Sequence, residues 1–335
     1  TDVFECGGSP TSAHGTFFTN VGNFTVGPNG TFIPDSAAAN PPFNFGPYNH
    51  FQRPDERYVL GAFANYEISE AVEPYMEVMF MDDNTRAQIA PSGSFFSQTF
   101  INCDNPLLSA QQVGVICQPE NLVGFDPDAV DDPTTPVDER GTVFSGGAGL
   151  ADFNRGVMYL ARRNVEGGGR VSDITHTDFR IVGGVRGDLS PAWSYDAYYQ
   201  FGRVRNPSIS LNDFSVQRIG RAFDVVTDPT TGAPVCRSVL QGTLDGCVPY
   251  NVFGTGTGVS RAGINYLQTP AITVGRTEES VFNASITGDL GQHGIRFPWA
   301  NDGVGINVGT EYRKESLDFL PAPPSLEGDL AGFGG

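Results

Sequence analysis

The sequence is poor in basic residues and in long apolar runs, and both shortages exclude classes of protein. Its 335 residues include 20 lysines and arginines against 38 aspartates and glutamates, which gives a net charge of −18, and Lys314 is the only lysine. Such a surface repels phosphate backbones, so we expect no nucleic-acid partner. No run approaches the roughly 20 apolar residues of a membrane helix. The opening residues TDVFECGGSP show no secretory leader pattern.

Motifs for catalysis and metal binding are also missing. We find no GxSxG element, no P-loop and no cluster of histidines and carboxylates at metal-ligand spacing. The four histidines are scattered, and no two cysteines form a CxxC pair, so the common zinc patterns do not apply. We therefore predict no enzymatic activity and no cofactor.

Glycine and proline, in contrast, are abundant. The chain has 42 glycines and 24 prolines, and 39% of its residues are hydrophobic. This profile is typical of many strands joined by irregular connections and does not suit a helical bundle. We predict an all-β protein.

Alternation of apolar and polar residues is the strongest pattern in the chain. It marks three hairpins, at 57–83, at 179–204, and at 280–290 with 303–319, whose strands alternate with period two. A smaller hairpin is expected at 23–33. The turns inside the large hairpins are short, whereas residues 86–170 and 208–271 read as long connections without regular structure. A transmembrane barrel has this asymmetry, with short turns at one rim and long extracellular loops at the other.

The apolar faces of these strands favour lipid over a packed core. They are rich in glycine, alanine and aromatic residues, and residues 179–189 rise by roughly 26 Å when tilted, close to the apolar height of an outer membrane. Aromatic residues near the short turns are candidates for an interfacial girdle: Tyr66, Trp193, Tyr195 and Trp299. A soluble β-sandwich or fibre also produces alternation and stays the alternative.

The charged faces then point into a watery lumen. The residues assigned to it are Glu77, Asp178, Arg180, Arg186, Asp188, Asp196, Glu311 and Arg313. Two interpretations remain for these charges. They form a hydrated wall that pairs with the part of the protein that fills the lumen, or they form a path that steers a ligand.

The five cysteines suggest two local disulfides. Cys103 lies near Cys117 in sequence, and Cys236 near Cys247, so each pair can close one connection in an oxidising compartment. Free buried thiols are the alternative. Cys6 is left over, which suggests a partner outside this chain.

Two further stretches are candidates for ligand contact. The acidic stretch 126–140 offers Asp126, Asp128, Asp131 and Asp132 to calcium, although its spacing matches no EF-hand and a solvated loop explains it equally. Aromatic residues at 93–100 and 250–253 suit stacking on sugars or flat chelates, or packing against one another.

Several long stretches resemble the barrel of proteobacterial TonB-dependent outer-membrane receptors. They are FQRPDERYVLGAFANYEISEAVEPYMEVMFMDDNTRAQIAPSGSFF, CDNPLLSAQQ, RAFDVVTDPTTGAPVCRSVLQGTLDGCVPYNVFG and GVGINVGTEYRKESLDF, and the similarity covers most of residues 40–320. The resemblance implies an antiparallel transmembrane β-barrel of roughly 22 strands around an N-terminal plug. It also implies import of a scarce nutrient, such as a ferric siderophore, haem, cobalamin or an oligosaccharide, energised through TonB.

The chain departs from that family pattern in its extent. We identify no plug, no TonB box and no terminal barrel strand, so residues 1–335 are expected to be part of a single barrel domain whose plug and barrel ends lie outside this chain. The expected location is the bacterial outer membrane. The expected partners are TonB with its inner-membrane energising complex, a small nutrient, outer-membrane lipid and the rest of the same barrel. A passive porin and a secreted structural or adhesive β protein are the alternatives.

Overall fold

The computed structural model describes residues 7–125, 142–144, 154–255 and 259–332. Antiparallel strands dominate these residues, and short helices lie between them. The all-β prediction is therefore confirmed. Cys6 and the four candidate calcium ligands, Asp126, Asp128, Asp131 and Asp132, lie outside the described residues.

The strands have the following bounds: β1 Thr16–Thr19, β2 Gly22–Val26, β3 Phe32–Pro34, β4 Asp55–Asn65, β5 Glu73–Pro91, β6 Gly93–Asn102, β7 Leu122–Phe125, β8 Thr142–Phe144, β9 Arg155–Arg163, β10 Gly169–Ser190, β11 Trp193–Phe214, β12 Val225–Thr227, β13 Pro234–Cys236, β14 Gln268–Asp289 and β15 Gly305–Leu320. The α-helices are α1 Ala110–Ile116, α2 Val216–Phe223, α3 Arg237–Leu240, α4 Arg261–Leu267 and α5 Pro323–Leu326. Single 3-10 turns lie at Gly46–Tyr48, Pro119–Asn121, Val165–Gly167 and Leu290–His293.

The three predicted hairpins join into one six-stranded antiparallel sheet. Its strand order is β15-β14-β11-β10-β5-β4, so each strand pairs with the next along the chain wherever a short turn connects them. Strands β4 and β15 are the edges, and every residue in both is exposed. The described residues form an open sheet and not a closed barrel.

Short turns lie at one end of this sheet. Between β10 and β11 only Pro191 and Ala192 separate the strands. Between β4 and β5, backbone hydrogen bonds join Ser69 and Val72 in both directions. Strand β10 has a glycine, Gly187, where the turn between β4 and β5 passes over it. A Cβ at this position would collide with the carbonyl group of Ala71. The predicted short turns are thus confirmed, and Gly187 is one place where packing requires glycine.

The prediction that 86–170 and 208–271 lack regular structure is wrong. The ends of strands β5, β10, β11 and β14 lie within these stretches, and the rest of the described residues there contain β6–β9, β12, β13 and α1–α4. Together with residues 7–54 and 321–332, the described parts of the connections 92–168 and 215–267 form a second body at the other end of the sheet, which we call the loop layer. Alternation in short strands interrupted by helices does not stand out in a single sequence, which is why the pattern was missed.

The loop layer has its own hydrophobic core. Its sheet follows the order β3-β2-β1-β9-β7-β8, with β6 on β9, and the predicted small hairpin at 23–33 supplies β2 and β3. The largest fully buried apolar side chains of the core come from residues 7–54, from the two long connections and from the end of β11. They are Phe17, Ile101, Ile116, Met158, Leu160, Phe214, Phe223, Tyr250, Phe253, Ile264 and Leu267. Burial of side chains of this size stabilises by about 1.5–3 kcal/mol each before entropy is counted. The long connections therefore fold as a packed unit.

Polar contacts also tie the segments of the loop layer to one another. The Asn102 side chain donates to the carbonyl of Val225 at 2.7 Å and accepts from its N–H at 3.2 Å. The hydroxyl of Ser215, at the start of α2, lies 2.7 Å from the carboxylate of Asp329. Two connections and the C-terminal segment are thus fixed relative to one another.

Candidate functional site

The polar face of the six-stranded sheet carries all eight charges predicted to face a lumen. Residues paired across adjacent strands share a face, and so do residues two apart within a strand. The register pairs Arg186 directly with Asp196. Each of the other six charges lies an even number of residues, along its own strand, from a position in the same cross-strand row. The eight residues are Glu77, Asp178, Arg180, Arg186, Asp188, Asp196, Glu311 and Arg313. The structure therefore brings them together on one surface.

A chain of side-chain contacts crosses five strands in the middle of this face. Arg180 donates to Glu77 at 3.1 Å and to Gln200 at 2.8 Å. The Gln200 amide donates to Glu279 at 2.6 Å, and Arg313 donates to the second oxygen of Glu279 at 3.3 Å. Sequence analysis identified the charged ends of this chain but not Gln200 and Glu279, whose positions in the alternating pattern place them on the same face.

A second network lies nearer the short turns. Arg186 makes a bidentate pair with Glu73, at 2.9 and 3.1 Å, and its guanidinium lies 5.4 Å from the ring centre of Tyr75. The Tyr75 hydroxyl donates to Asp196 at 3.2 Å. Gly184 makes this possible, because a Cβ at that position would overlap the Tyr75 ring. Neither Glu73 nor Tyr75 was among the predicted residues.

These ion pairs are solvated rather than buried. In the Arg180–Glu77 and Arg186–Glu73 pairs, each side chain retains a quarter to a half of its exposure. Pairs of this kind contribute about 0–1 kcal/mol each. The polar face is therefore a wettable wall with fixed donors and acceptors, and its five predicted acidic residues outnumber the three arginines.

The opposite face of the same sheet is apolar and open. Its central row runs through Met76, Tyr199, Phe282 and Tyr312, whose exposed fractions are 47, 52, 45 and 68%. Adjacent rows add Leu60, Phe80, Ile181 and Val308, all exposed. An apolar patch that extends across six strands is far larger than soluble monomers normally expose. We call this surface the oblique band, because its boundary runs diagonally across the strands.

The boundary of the oblique band on the loop-layer side shifts in one direction across the sheet, by two residues at three of the five strand-to-strand steps and by none at the other two. The last apolar residues before the first polar ones are Tyr58 in β4, Phe80 in β5, Phe179 in β10, Phe201 in β11, Phe282 in β14 and Tyr312 in β15. The row of Tyr58 reaches β15 at Asp318, and Tyr312 lies six residues before Asp318. The boundary thus moves six residues over five strand-to-strand steps.

That shift converts into an angle. The boundary moves six residues, at about 3.3 Å each, over five strand spacings of about 4.8 Å each. The strands are therefore inclined by roughly 40° to a line drawn at right angles to the edge of the band. Strands of membrane barrels tilt by about 35–45°.

The four predicted girdle aromatics lie at the short-turn end. Tyr66 and Trp299 are exposed, and Trp299 stacks on Phe297 with ring centres 5.3 Å apart. The Tyr195 hydroxyl donates to the carbonyl of Ala71 at 2.9 Å, and Trp193 lies against Gly288. Two of them therefore also hold neighbouring turns together.

Of the two interpretations of the aromatics at 250–253, packing against other aromatic rings is the one that the structure supports. Tyr250 and Phe253 are fully buried in the loop-layer core, where their rings pack around Phe223. At 93–100 the outcome is mixed. Phe95 lies between the guanidinium groups of Arg163 and Arg170, whereas Phe96 is 45% exposed.

Both predicted disulfides are present, Cys103–Cys117 and Cys236–Cys247, each with Cα atoms 6.0 Å apart. The free-thiol alternative is excluded for these four residues. In the described part of the chain, no group of three or more histidines, cysteines and carboxylates is placed to hold a metal ion. No helix among the described residues has the length and apolar character needed to cross a membrane.

Comparisons with protein-family models, with curated proteins and with solved structures found no match.

Proposed function

We propose that the chain is a segment of a TonB-dependent outer-membrane receptor barrel that binds a small nutrient for energised import. The observation that carries the proposal is the oblique band, because its slope matches the strand tilt of a membrane barrel. The sequence resemblance to this family agrees with it. The nutrient class implied by the resemblance is a ferric siderophore, haem, cobalamin or an oligosaccharide.

The two ends of the sheet support an assignment of sides. Bacterial outer-membrane barrels have short periplasmic turns and longer extracellular loops. By this rule the turns at Glu70 and Pro191 face the periplasm, and the loop layer faces outward, where a packed body over the barrel mouth meets the ligand first. The polar face then lines the interior and contacts a plug supplied by the rest of the receptor.

The two edges of the sheet fit a partial barrel. Unpaired backbone groups in hydrocarbon cost several kcal/mol each, so strands β4 and β15 need neighbours in a membrane. In this proposal the neighbours are further strands of the same receptor. TonB and its inner-membrane complex act through the plug and make no contact with the residues described here.

Cysteine labelling of the full-length receptor in intact cells tests the oblique band. Ala62 and Lys314 belong to one row on the apolar face, yet they lie on opposite sides of the boundary. We expect a membrane-impermeant maleimide to label Lys314→Cys and to leave Ala62→Cys unlabelled. In detergent-denatured protein both should react.

Equal labelling of the two positions would contradict a tilted membrane band and would favour a secreted β protein. A separate measurement addresses the passive porin. In a strain without TonB, nutrient accumulation should fall to background, whereas a porin would continue to admit it.

A further inference from the structure

A strip of aromatic side chains lies on the open face of the loop-layer sheet. Strand β9 buries Met158 and Leu160 on one face and turns Val157 and Tyr159 to the other. Tyr159 pairs with Phe18 of β1 and with Gln98 of β6, and its hydroxyl donates to Gln98 at 3.0 Å. Phe96 packs on Phe18 with ring centres 5.1 Å apart. Phe100 of β6 pairs with Val157 and so lies on the same face. We call Phe18, Phe96, Phe100 and Tyr159 the aromatic strip.

Phe96 reaches this strip only through a distorted backbone. The register between β6 and β9 shifts between Phe95 and Ser97, which leaves Phe96 as the extra residue of a bulge. Its φ of 60° lies in the left-handed region, which is unfavourable for a residue with a bulky side chain. Such bulges re-aim side chains and concentrate next to functional sites. Here the result is an aromatic ring that is 45% exposed.

A cavity of about 250 Å³ adjoins the strip between β6 and α2. It shares Phe100 with the strip, and it is also lined by Gln98, the hydrogen-bond partner of Tyr159. Arg155, Gln217 and Arg221 add further polar groups. Its volume is below the range of about 300–1,000 Å³ of sites that enclose a whole drug-sized ligand. It therefore fits one end of a longer molecule whose remainder lies along the strip.

The charges at the cavity balance one another. Arg155 pairs with Asp224 at 3.2 Å, and Arg221 lies 3.8 Å from Asp245. Arg237 completes the group, 3.0 Å from Asp224 and 3.8 Å from Asp104. Of these six residues, Arg155, Arg221 and Asp224 line the cavity and the other three lie behind them, so each lining charge has a partner of opposite sign. The cavity therefore offers no unpaired charge that would attract a strongly anionic or a strongly cationic ligand.

We propose that the aromatic strip and its cavity bind a neutral oligosaccharide chain. A pyranose ring has an apolar C–H face that packs on aromatic rings and a rim of hydroxyl groups that both donate and accept hydrogen bonds. The strip supplies the rings, and the cavity supplies amide, guanidinium and carboxylate groups in fixed positions. The inference deepens the proposed function, because it selects one nutrient class and places its first contact on the loop layer.

Isothermal titration of the purified full-length receptor in detergent tests this inference. The probes are maltohexaose, cellohexaose and the N-acetylated chitin hexasaccharide, with an oligogalacturonate as the anionic comparison. We expect at least one neutral hexasaccharide to bind, and the oligogalacturonate not to bind. Tyr159→Ala and Phe96→Gly should each weaken that binding at least tenfold. Phe96→Gly also relieves the left-handed φ, so it should fold as well as the natural protein.

Two variants serve as controls. Tyr159→Phe keeps the ring and should bind within about twofold of the natural protein. Phe45→Ala removes a ring of equal exposure elsewhere on the loop layer and should have no effect.

Absence of binding to all three neutral probes would overturn the proposal, as would unchanged binding in Tyr159→Ala and Phe96→Gly, or binding of the anionic probe alone. Heat-modifiable gel migration of the same preparations reports barrel formation separately. A heat-modifiable receptor that binds no saccharide would contradict the saccharide site but not the barrel. A receptor whose migration does not change on heating would contradict the barrel proposal itself.

Discussion

Asp213 is a buried acidic residue without a full set of partners. It lies on β11 beyond the oblique band, next to Asn212, which has a φ of 68° where the register between β11 and β14 shifts. Asp213 is 2% exposed, and its Oδ1 has no hydrogen-bond partner in the described structure. Burial raises the pKa of Asp213 to about 6, against the opposing charge of Arg170.

This raised pKa predicts an unusual pH dependence. An unfolded aspartate loses its proton near pH 4, whereas the folded one keeps it up to about pH 6, so the contribution of Asp213 to stability falls as pH rises between these values. Asp213→Asn should therefore stabilise the protein at pH 7.5, by at most about 3 kcal/mol. At pH 4 the gain should vanish. Thermal unfolding at both pH values checks this, and an equal gain at both would contradict it.

Arg162 is the most deeply buried charged side chain of the loop layer described here, with 3% of it exposed. It forms an ion pair with Glu166 at 2.6 Å and donates to the Tyr250 hydroxyl at 3.5 Å, and that hydroxyl donates to Asn164. Removal of one partner of a buried pair leaves the other charge uncompensated. Arg162→Met should therefore destabilise the loop layer by roughly 3–5 kcal/mol.

Arg155→Met is the matched control for Arg162→Met. Both side chains of its ion pair with Asp224 are partly exposed, and Asp224 keeps a second partner in Arg237, so the loss should stay below about 1 kcal/mol. Protease susceptibility of the loop layer against urea concentration measures both variants. Equal susceptibility of the two would show that burial does not set the cost.

At the scale of elements, α1 depends on the Cys103–Cys117 disulfide. The helix begins with a capping box between Ser109 and Gln112 and ends at Cys117 itself. In the chain-entropy model a loop of this size is stabilised by about 3 kcal/mol when a disulfide closes it. The double variant Cys103→Ser, Cys117→Ser should therefore lose hydrogen-exchange protection over Ala110–Ile116.

The second disulfide provides the control for that measurement. Cys236→Ser with Cys247→Ser should expose residues 236–247 and leave α1 protected, because the two disulfides close different connections. Loss of protection at α1 in both double variants would mean that the loop layer unfolds as one cooperative unit and that neither disulfide acts locally.

Elements differed in how well the sequence predicted them. The long strands were predicted because their alternation persists over eleven or more residues, and the eight predicted charges do share a face. The loop layer was not predicted, since its short strands pair with partners far away in sequence, as β1 does with β9. The same reason hid the bulge at Phe96, which exists only through the register of β6 on β9.

At the scale of the molecule, the two edges of the six-stranded sheet determine how the isolated chain associates with itself. All residues of β4 and β15 are exposed, and unpaired edges of this length template association. The 335-residue chain refolded alone in detergent should therefore form edge-to-edge oligomers. Sedimentation velocity would show this, with the full-length receptor as the monodisperse control. A monomeric, monodisperse chain would contradict the partial-barrel proposal.

The amino-acid sequence alone determined the class of structure, the strands of the main hairpins, the face of each strand and the pairing of four cysteines. These properties depend on alternation or on neighbours close along the chain, so they are visible without coordinates. Only the tertiary structure decided the slope of the apolar boundary, the packed loop layer and the aromatic strip. Each of these depends on the register between strands, which sets distant residues side by side and which hydrogen bonding and core packing fix only when the whole sheet forms.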